Sequence, residues 1–125
     1  MLIIGDVALY HDLSSLALLS KLKPNLDILV LDNDGGRIFD HLPLANSELP
    51  KSHFKDFWTM PTAIKWEHLG SAFGLDTQMF NAKEFSAAKH LTFSDSPRLT
   101  VVKVAPHGAA DLWNQVKDDI SSLDF

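Results

Sequence analysis

The chain has 125 residues, is 46% hydrophobic and 22% charged, carries a formal net charge of -5 at pH 7, and contains no cysteine. That length allows one domain around a single core, and the lack of cysteine excludes disulfides, thiolate metal sites and a cysteine nucleophile. The acidic balance, with eleven scattered Lys and Arg residues, excludes a general nucleic-acid binder, because neutralising phosphates requires clustered cations.

Leu2 to Gly5 is a short apolar run ended by Gly-Asp and reads as a buried strand. His11 to Leu22 places Leu13, Leu16, Ala17 and Leu19 at helical spacing, with Asp12 and Ser14 as candidate caps, until Pro24-Asn25 breaks it. Ile28 to Leu31 is apolar without alternation, as expected of a strand covered on both faces in a parallel sheet. Asp32-Asn33-Asp34-Gly35-Gly36 is a strong turn signal. Residues 40–62, with Pro43, Pro50, Pro61, Phe54, Phe57 and Trp58, read as a long irregular segment. Beyond it the expected elements are a helix from Ala63 to Phe73 capped by Thr62, a strand from Leu75 to Phe80 and a helix from Ala82 to Leu91. A β-branched strand from Thr100 to Val104 and a terminal helix from Ala109 to Leu123 follow. This alternation predicts an α/β layer, a mostly parallel sheet with helices on both faces. Successive strand ends then point to one edge, where ligands bind in such folds. No apolar run approaches the ~20 residues of a membrane span, and no basic leader precedes Met1-Leu2-Ile3-Ile4, so a cytoplasmic protein is expected.

Two loops meet at that edge if the first two strands pair. Asp6 offers a carboxylate oxygen and Asn33 an amide oxygen, and Gly35 lets the backbone turn a carbonyl inward. Magnesium prefers such hard oxygen ligands and leaves positions for phosphate and water, while glycine backbone lets a phosphate approach N–H groups closely. A magnesium-diphosphate site is one reading. The other is that Asp-Asn-Asp-Gly-Gly is only a turn, since these residues tolerate left-handed backbone. The offsets of glycine and distal glutamate do not fit a helix-loop-helix calcium loop.

Gly5-Asp6, a strand-helix-strand interval and then Asp32-Asn33 resemble the cofactor motif of thiamine-diphosphate enzymes. More narrowly, the chain is similar to the C-terminal part of the 2-succinyl-5-enolpyruvyl-6-hydroxy-3-cyclohexene-1-carboxylate synthase family of menaquinone biosynthesis. The resemblance is carried by Gly5-Asp6, Asp12-Leu13, Leu16 to Leu19, Asn33 to Gly36, Ile38-Phe39, Leu42-Pro43, Phe57, Met60-Pro61, Glu67-His68 and Ala72. It implies that Asp6, the Asn33 side chain and the Gly35 carbonyl bind magnesium, with manganese an acceptable substitute. It further implies that Gly5, Val7, Ala8, Gly36 and Arg37 lie near the diphosphate of thiamine diphosphate, and that Ile38 and Phe39 line the reacting end of that cofactor. The family decarboxylates 2-oxoglutarate and adds the product to isochorismate, with the cofactor as electron sink and the protein supplying position and electrostatics.

Two positions depart from the general motif: Val7 stands in place of its last glycine, and Asp32 in place of its first asparagine. Asp32 would add negative charge beside the metal. The resemblance also implies an activating glutamate from a pyrimidine-binding domain across a dimer interface, so no catalytic residue is assigned within 1–125. The sequence reads as the C-terminal part of a diphosphate-binding domain without the pyrimidine-binding and central domains. It is expected to be inactive alone and to need a missing N-terminal portion or second subunit, as a homo-oligomer. The alternatives are another thiamine-diphosphate decarboxylase or carboligase, or a non-catalytic α/β interaction module.

The six histidines lack zinc-type spacing. His68 reads as a structural or interface residue, and His11 with Asp12 as capping and surface groups, with a role near the cofactor as the lesser reading. Phe54, Phe57, Trp58 and Trp66 read as packing or a subunit interface, with a mobile flap over the active site as the lesser reading of their segment. Asp118 and Asp119 read as a solvated helix face.

Overall fold

The computed structural model describes residues 1–48, 50–86, 89 and 95–122. Within them, β1 (Leu2–Gly5), β2 (Asp27–Asp32), β3 (Asp76–Asn81) and β4 (Arg98–Lys103) form one sheet in the order β1-β2-β4-β3. All three pairings are parallel, as the unalternating apolar runs led us to expect. The helices are α1 (Asp6–His11), α2 (Leu16–Leu22), α3 (Lys51–Phe54), α4 (Trp66–Ala72) and α5 (Gly108–Ser121). None of them is long and apolar enough to cross a membrane.

The two inner strands explain why the sheet needs cover on both sides. Ile28, Leu29 and Val30 are consecutive and buried, as are Leu99, Thr100, Val101 and Val102, and neighbours along a strand face opposite ways. On one face Ile28 and Val30 join Leu99 and Val101 under Leu9 of α1, Leu16 of α2, Trp66 of α4 and Leu75. The registers Ile28↔Leu99 and Val30↔Val101 set these four side chains in two rows. Burying each such side chain contributes roughly 1.5–3 kcal/mol, so this layer fixes the strand ends that carry the loops.

Several sequence expectations need correction. The first helix begins at Asp6, directly after β1, not at His11. Asp12 both ends α1 and stands as N-cap residue of the short 3-10 turn that follows, without a side-chain bond to its backbone N–H groups; its carboxylate accepts from the Ser15 hydroxyl at 2.6 Å instead. A 3-10 turn, Leu13–Ser15, then leads into α2, because one helical turn of Val7, Ala8 and Leu9 buries only Leu9 before the chain must bend back. The helix expected from Ala63 starts at Trp66 without a side-chain cap from Thr62, since Ala63 adopts φ of 49° and cannot continue a right-handed helix.

Much of the segment expected to be irregular, residues 40–62, is a chain of short helical turns. These are 3-10 turns at Arg37–His41 and Pro43–Asn46, α3, and a π-helical turn at Lys55–Thr59. Of the helix expected from Ala82 to Leu91, residues 82–84 form a turn instead, with Asn81 Oδ1 accepting the Lys83 and Glu84 N–H groups, and 85–86 are not helical; residues 87, 88, 90 and 91 lie outside the described residues. The strand expected at Thr100 starts earlier, at Arg98, and the terminal helix runs Gly108–Ser121.

Candidate functional site

β1 and β2 are neighbours with Gly5 opposite Leu31, so Asp6 and Asp32 leave the sheet side by side. This meets the condition set by the sequence, and the two loops come together at the carboxyl edge of the strands.

Asp6 is only 2% exposed, although it is a carboxylate at the start of a helix. Its Oδ2 accepts the Gly35 N–H at 2.7 Å, a contact spanning 29 residues. One terminal atom of the Asn33 amide lies 3.2 Å from Asp6 Oδ1 and 2.9 Å from the Gly35 carbonyl oxygen. Without a cation that position suits the NH2 group, which donates to both oxygens. With a cation seated among them, the amide turns its oxygen inward. The side chain of Asn33, the carboxylate of Asp6 and the carbonyl of Gly35 thus converge with either polarity available. A carboxylate, an amide oxygen and a carbonyl are the donor set a hard divalent cation takes. The three residues fit magnesium. Among the described residues no three His, Asp or Glu side chains gather as a metal cluster, so beside the Asp6 carboxylate a cation here would rely on neutral oxygens.

The electrostatics point the same way. Burial pushes the Asp6 carboxyl above its usual range, and the N–H groups of Gly35 and Val7 only partly offset this; the neighbouring charge of Asp32 pushes it further up. A positive ion among these oxygens would favour the ionised form that burial opposes.

Gly35 has φ of 113°, and an added Cβ would collide with the Thr59 carbonyl, so side chain and backbone alike exclude other residues. Gly36 donates its N–H to that same Thr59 carbonyl at 2.6 Å. The π-helical turn ending at Thr59 is thereby tied to the loop, and Thr59 itself is 2% exposed. Arg37 donates its backbone N–H to the Gly35 carbonyl at 2.8 Å, and its guanidinium pairs with Asp34 and Asp40. The N–H groups of Gly35, Gly36 and Arg37 are therefore bonded within the chain. Val7 and Ala8 lie in the first turn of α1, where backbone N–H groups lack in-helix partners, and that of Val7 is taken by the Asp6 carboxylate.

Beside the loop lies a cavity of about 600 Å3, within the roughly 300–1,000 Å3 usual for small-ligand sites. Val7, Tyr10, Gly36 and Phe39 line one side, and residues 56–62 the other. Of the residues marked by the resemblance, Val7, Gly36 and Phe39 reach this cavity; Ile38 does not and is 75% exposed. Gly5 ends β1 just before it.

Four residues take roles other than those the sequence favoured. His11, read as a surface group, lines the cavity. Phe57 and Trp58, read as packing or interface, also line it, with Trp58 stacked on Phe54 at 6.1 Å between ring centroids. Asp32, read as extra charge at the metal, accepts the Trp66 indole N–H at 2.8 Å and the Asp34 N–H at 3.2 Å. Trp66, at 2% exposure, is core. His68 is exposed on α4.

Taken together these features define an α/β parallel-sheet domain with an oxygen-lined crevice at the carboxyl ends of adjacent strands. No family model matches the chain. The chain is 35% identical over 118 residues to a 2-succinyl-5-enolpyruvyl-6-hydroxy-3-cyclohexene-1-carboxylate synthase of Vibrio parahaemolyticus, covering 90% of the chain and 19% of that relative. The synthase of Vibrio vulnificus is 33% identical over 127 residues, 98% of the chain and 22% of the relative. That of Pelodictyon phaeoclathratiforme is 34% identical over 112 residues, 89% and 18% respectively. The chain belongs to this synthase family of enzymes and spans about a fifth of the length of the relatives it matches.

Proposed function

We propose that the chain supplies the magnesium- and diphosphate-holding part of a thiamine-diphosphate site. The observation that carries this reading is the convergence of Asp6 Oδ1, the Asn33 amide and the Gly35 carbonyl around a buried carboxylate. Asp6, Asn33 and Gly35 would hold the metal. The first-turn N–H group of Ala8 would face a phosphate oxygen, and Phe39 with Phe57 and Trp58 would keep water from the cavity. When bound, thiamine diphosphate supplies the electron sink for decarboxylating a 2-oxoacid.

The reaction proposed for the complete enzyme is decarboxylation of 2-oxoglutarate followed by addition to isochorismate, in menaquinone biosynthesis. Support comes from the family and from the fit of the oxygen set to magnesium. We assign no proton-transferring residue within this chain. The activating carboxylate belongs in this reading to a part of the enzyme outside residues 1–125, which act as a cofactor-holding domain.

The direct test is equilibrium dialysis against thiamine diphosphate and against thiamine, each with and without magnesium. Retention of the diphosphate form only, and only with magnesium, is the expected result. Equal retention of thiamine, or retention unaffected by the metal, would remove the basis for the assignment.

A further inference from the structure

Asp32 is joined to four parts of the structure at once. Its backbone carbonyl accepts the Val104 N–H at 2.9 Å, just beyond β4. Its Oδ2 takes the indole N–H of Trp66, the first residue of α4, and its Oδ1 takes the Asp34 N–H. Asn33, a metal-site residue, follows it directly. The turn it begins is a difficult one, because Asp34 has φ of 63° and Gly35 φ of 113°, two successive residues in backbone that L side chains rarely adopt. Such a turn persists only where its surroundings over-determine it, and Trp66 is anchored in the core between sheet and helices.

We infer that Asp32 is a positioning residue, whose two carboxylate oxygens lock the Asn33–Gly35 turn to Trp66 and so aim the Asn33 amide and Gly35 carbonyl at Asp6. The chemistry explains why an acid stands here. Two N–H donors arrive from different directions, and a carboxylate accepts both, one on each oxygen. An amide has one acceptor oxygen and would turn its NH2 toward the other donor. Asp32 and Trp66 therefore form a matched pair: an acid at 32 is required because an indole N–H arrives from 66. The magnesium part of this inference rests on the function proposed above; the conformational part does not.

The test is a double-mutant cycle on the 125-residue chain, with Asp32→Asn, Trp66→Phe and both together. Two readouts are taken on each: magnesium affinity by calorimetry, and the exchange rate of the Gly35 amide by NMR in metal-free buffer. Asp32→Asn is expected to weaken magnesium about tenfold, the usual scale for partners that orient metal ligands. It is also expected to speed Gly35 exchange several-fold while the amides of Val30 and Val101 in the sheet keep their rates. Trp66→Phe breaks the same tie from the other side, so it should weaken magnesium and speed Gly35 exchange likewise, and the double variant should lose little more than either single one.

That non-additivity separates positioning from charge, since a metal weakened only by loss of the Asp32 charge would be unaffected by Trp66→Phe alone. Additive effects, an unchanged Gly35 rate, or uniform acceleration of all amides would overturn the inference. If the parent chain takes up no magnesium, the function proposed above fails. The Gly35 rates across the cycle then decide the inference by themselves, with non-additivity supporting it and additivity refuting it.

Discussion

The loop after β2 and helix α5 are both surface elements rich in polar residues, yet the chain completes one and leaves the other open. In residues 32–37 the polar groups find partners within the chain: Asp32 on Trp66, Gly35 on Asp6, Gly36 on Thr59, Arg37 on Asp34 and Asp40. In α5 no residue is buried, although Leu112, Trp113, Val116 and Ile120 make an apolar stripe at helical spacing, 60%, 51%, 37% and 57% exposed. What stabilises α5 locally is modest, such as Lys117 Nζ standing 5.5 Å from the Trp113 ring centre. The difference teaches that the candidate site is defined by contacts internal to these 125 residues, so its properties belong to this chain and can be tested on it.

If that contrast is right, substitutions at the site and at α5 should differ by an order of magnitude in their effect on folding. The largest loss is expected from Trp66→Ala, which empties the core under the loop and leaves Asp32 without its indole partner. About 3–5 kcal/mol of stability should disappear in chemical denaturation. Next comes Gly35→Ala, where positive φ and the collision with the Thr59 carbonyl should together cost about 1–3 kcal/mol by the same assay.

Asp6 should give a smaller effect with a distinctive sign. Its folded-state carboxyl holds its proton more tightly than in the unfolded chain, because burial outweighs the hydrogen bonds to it. The stability it contributes is thus greatest below the unfolded carboxylate pKa and is lost as pH rises through the higher folded value. Asp6→Asn should flatten that slope and raise the melting temperature of the metal-free chain at neutral pH. A lowered melting temperature together with an unchanged slope would mean that the buried charge is not a cost. Leu112→Lys in α5 should be the smallest, within about 0.5 kcal/mol at low protein concentration. A larger and concentration-dependent effect would show that α5 is covered by another copy in solution and would blunt the comparison.

How much of this could be read from the sequence follows the range of the interactions. The strands and the Asp-Asn-Asp-Gly-Gly turn were legible because apolar runs and left-handed turn chemistry are local signals. Asp6, Asn33 and Gly35 could be grouped because parallel neighbours send consecutive strand ends to one edge, and β1 and β2 do pair. The start of α1 at Asp6 was not legible, since a single turn with one buried leucine carries almost no periodicity. Nor were the tie from Gly36 to Thr59 or the tie from Asp32 to Trp66, which spans 34 residues. Contacts of that reach leave no pattern in a window of a dozen residues, and a buried tryptophan looks the same in sequence whether it fills a core or an interface. The placing of β4 between β2 and β3 is likewise a property of the assembled sheet.

The central claim, that the buried Asp6 carboxylate with Asn33 and Gly35 holds a magnesium-diphosphate group, is tested most directly by calorimetric titration. Thiamine diphosphate with magnesium would be titrated into the folded chain and into folded Asp6→Ala. The expected result is magnesium-dependent heat of binding in the parent chain, with affinity falling at least about a hundredfold in the variant. Binding of equal strength in both, or none by the folded parent chain, would contradict it.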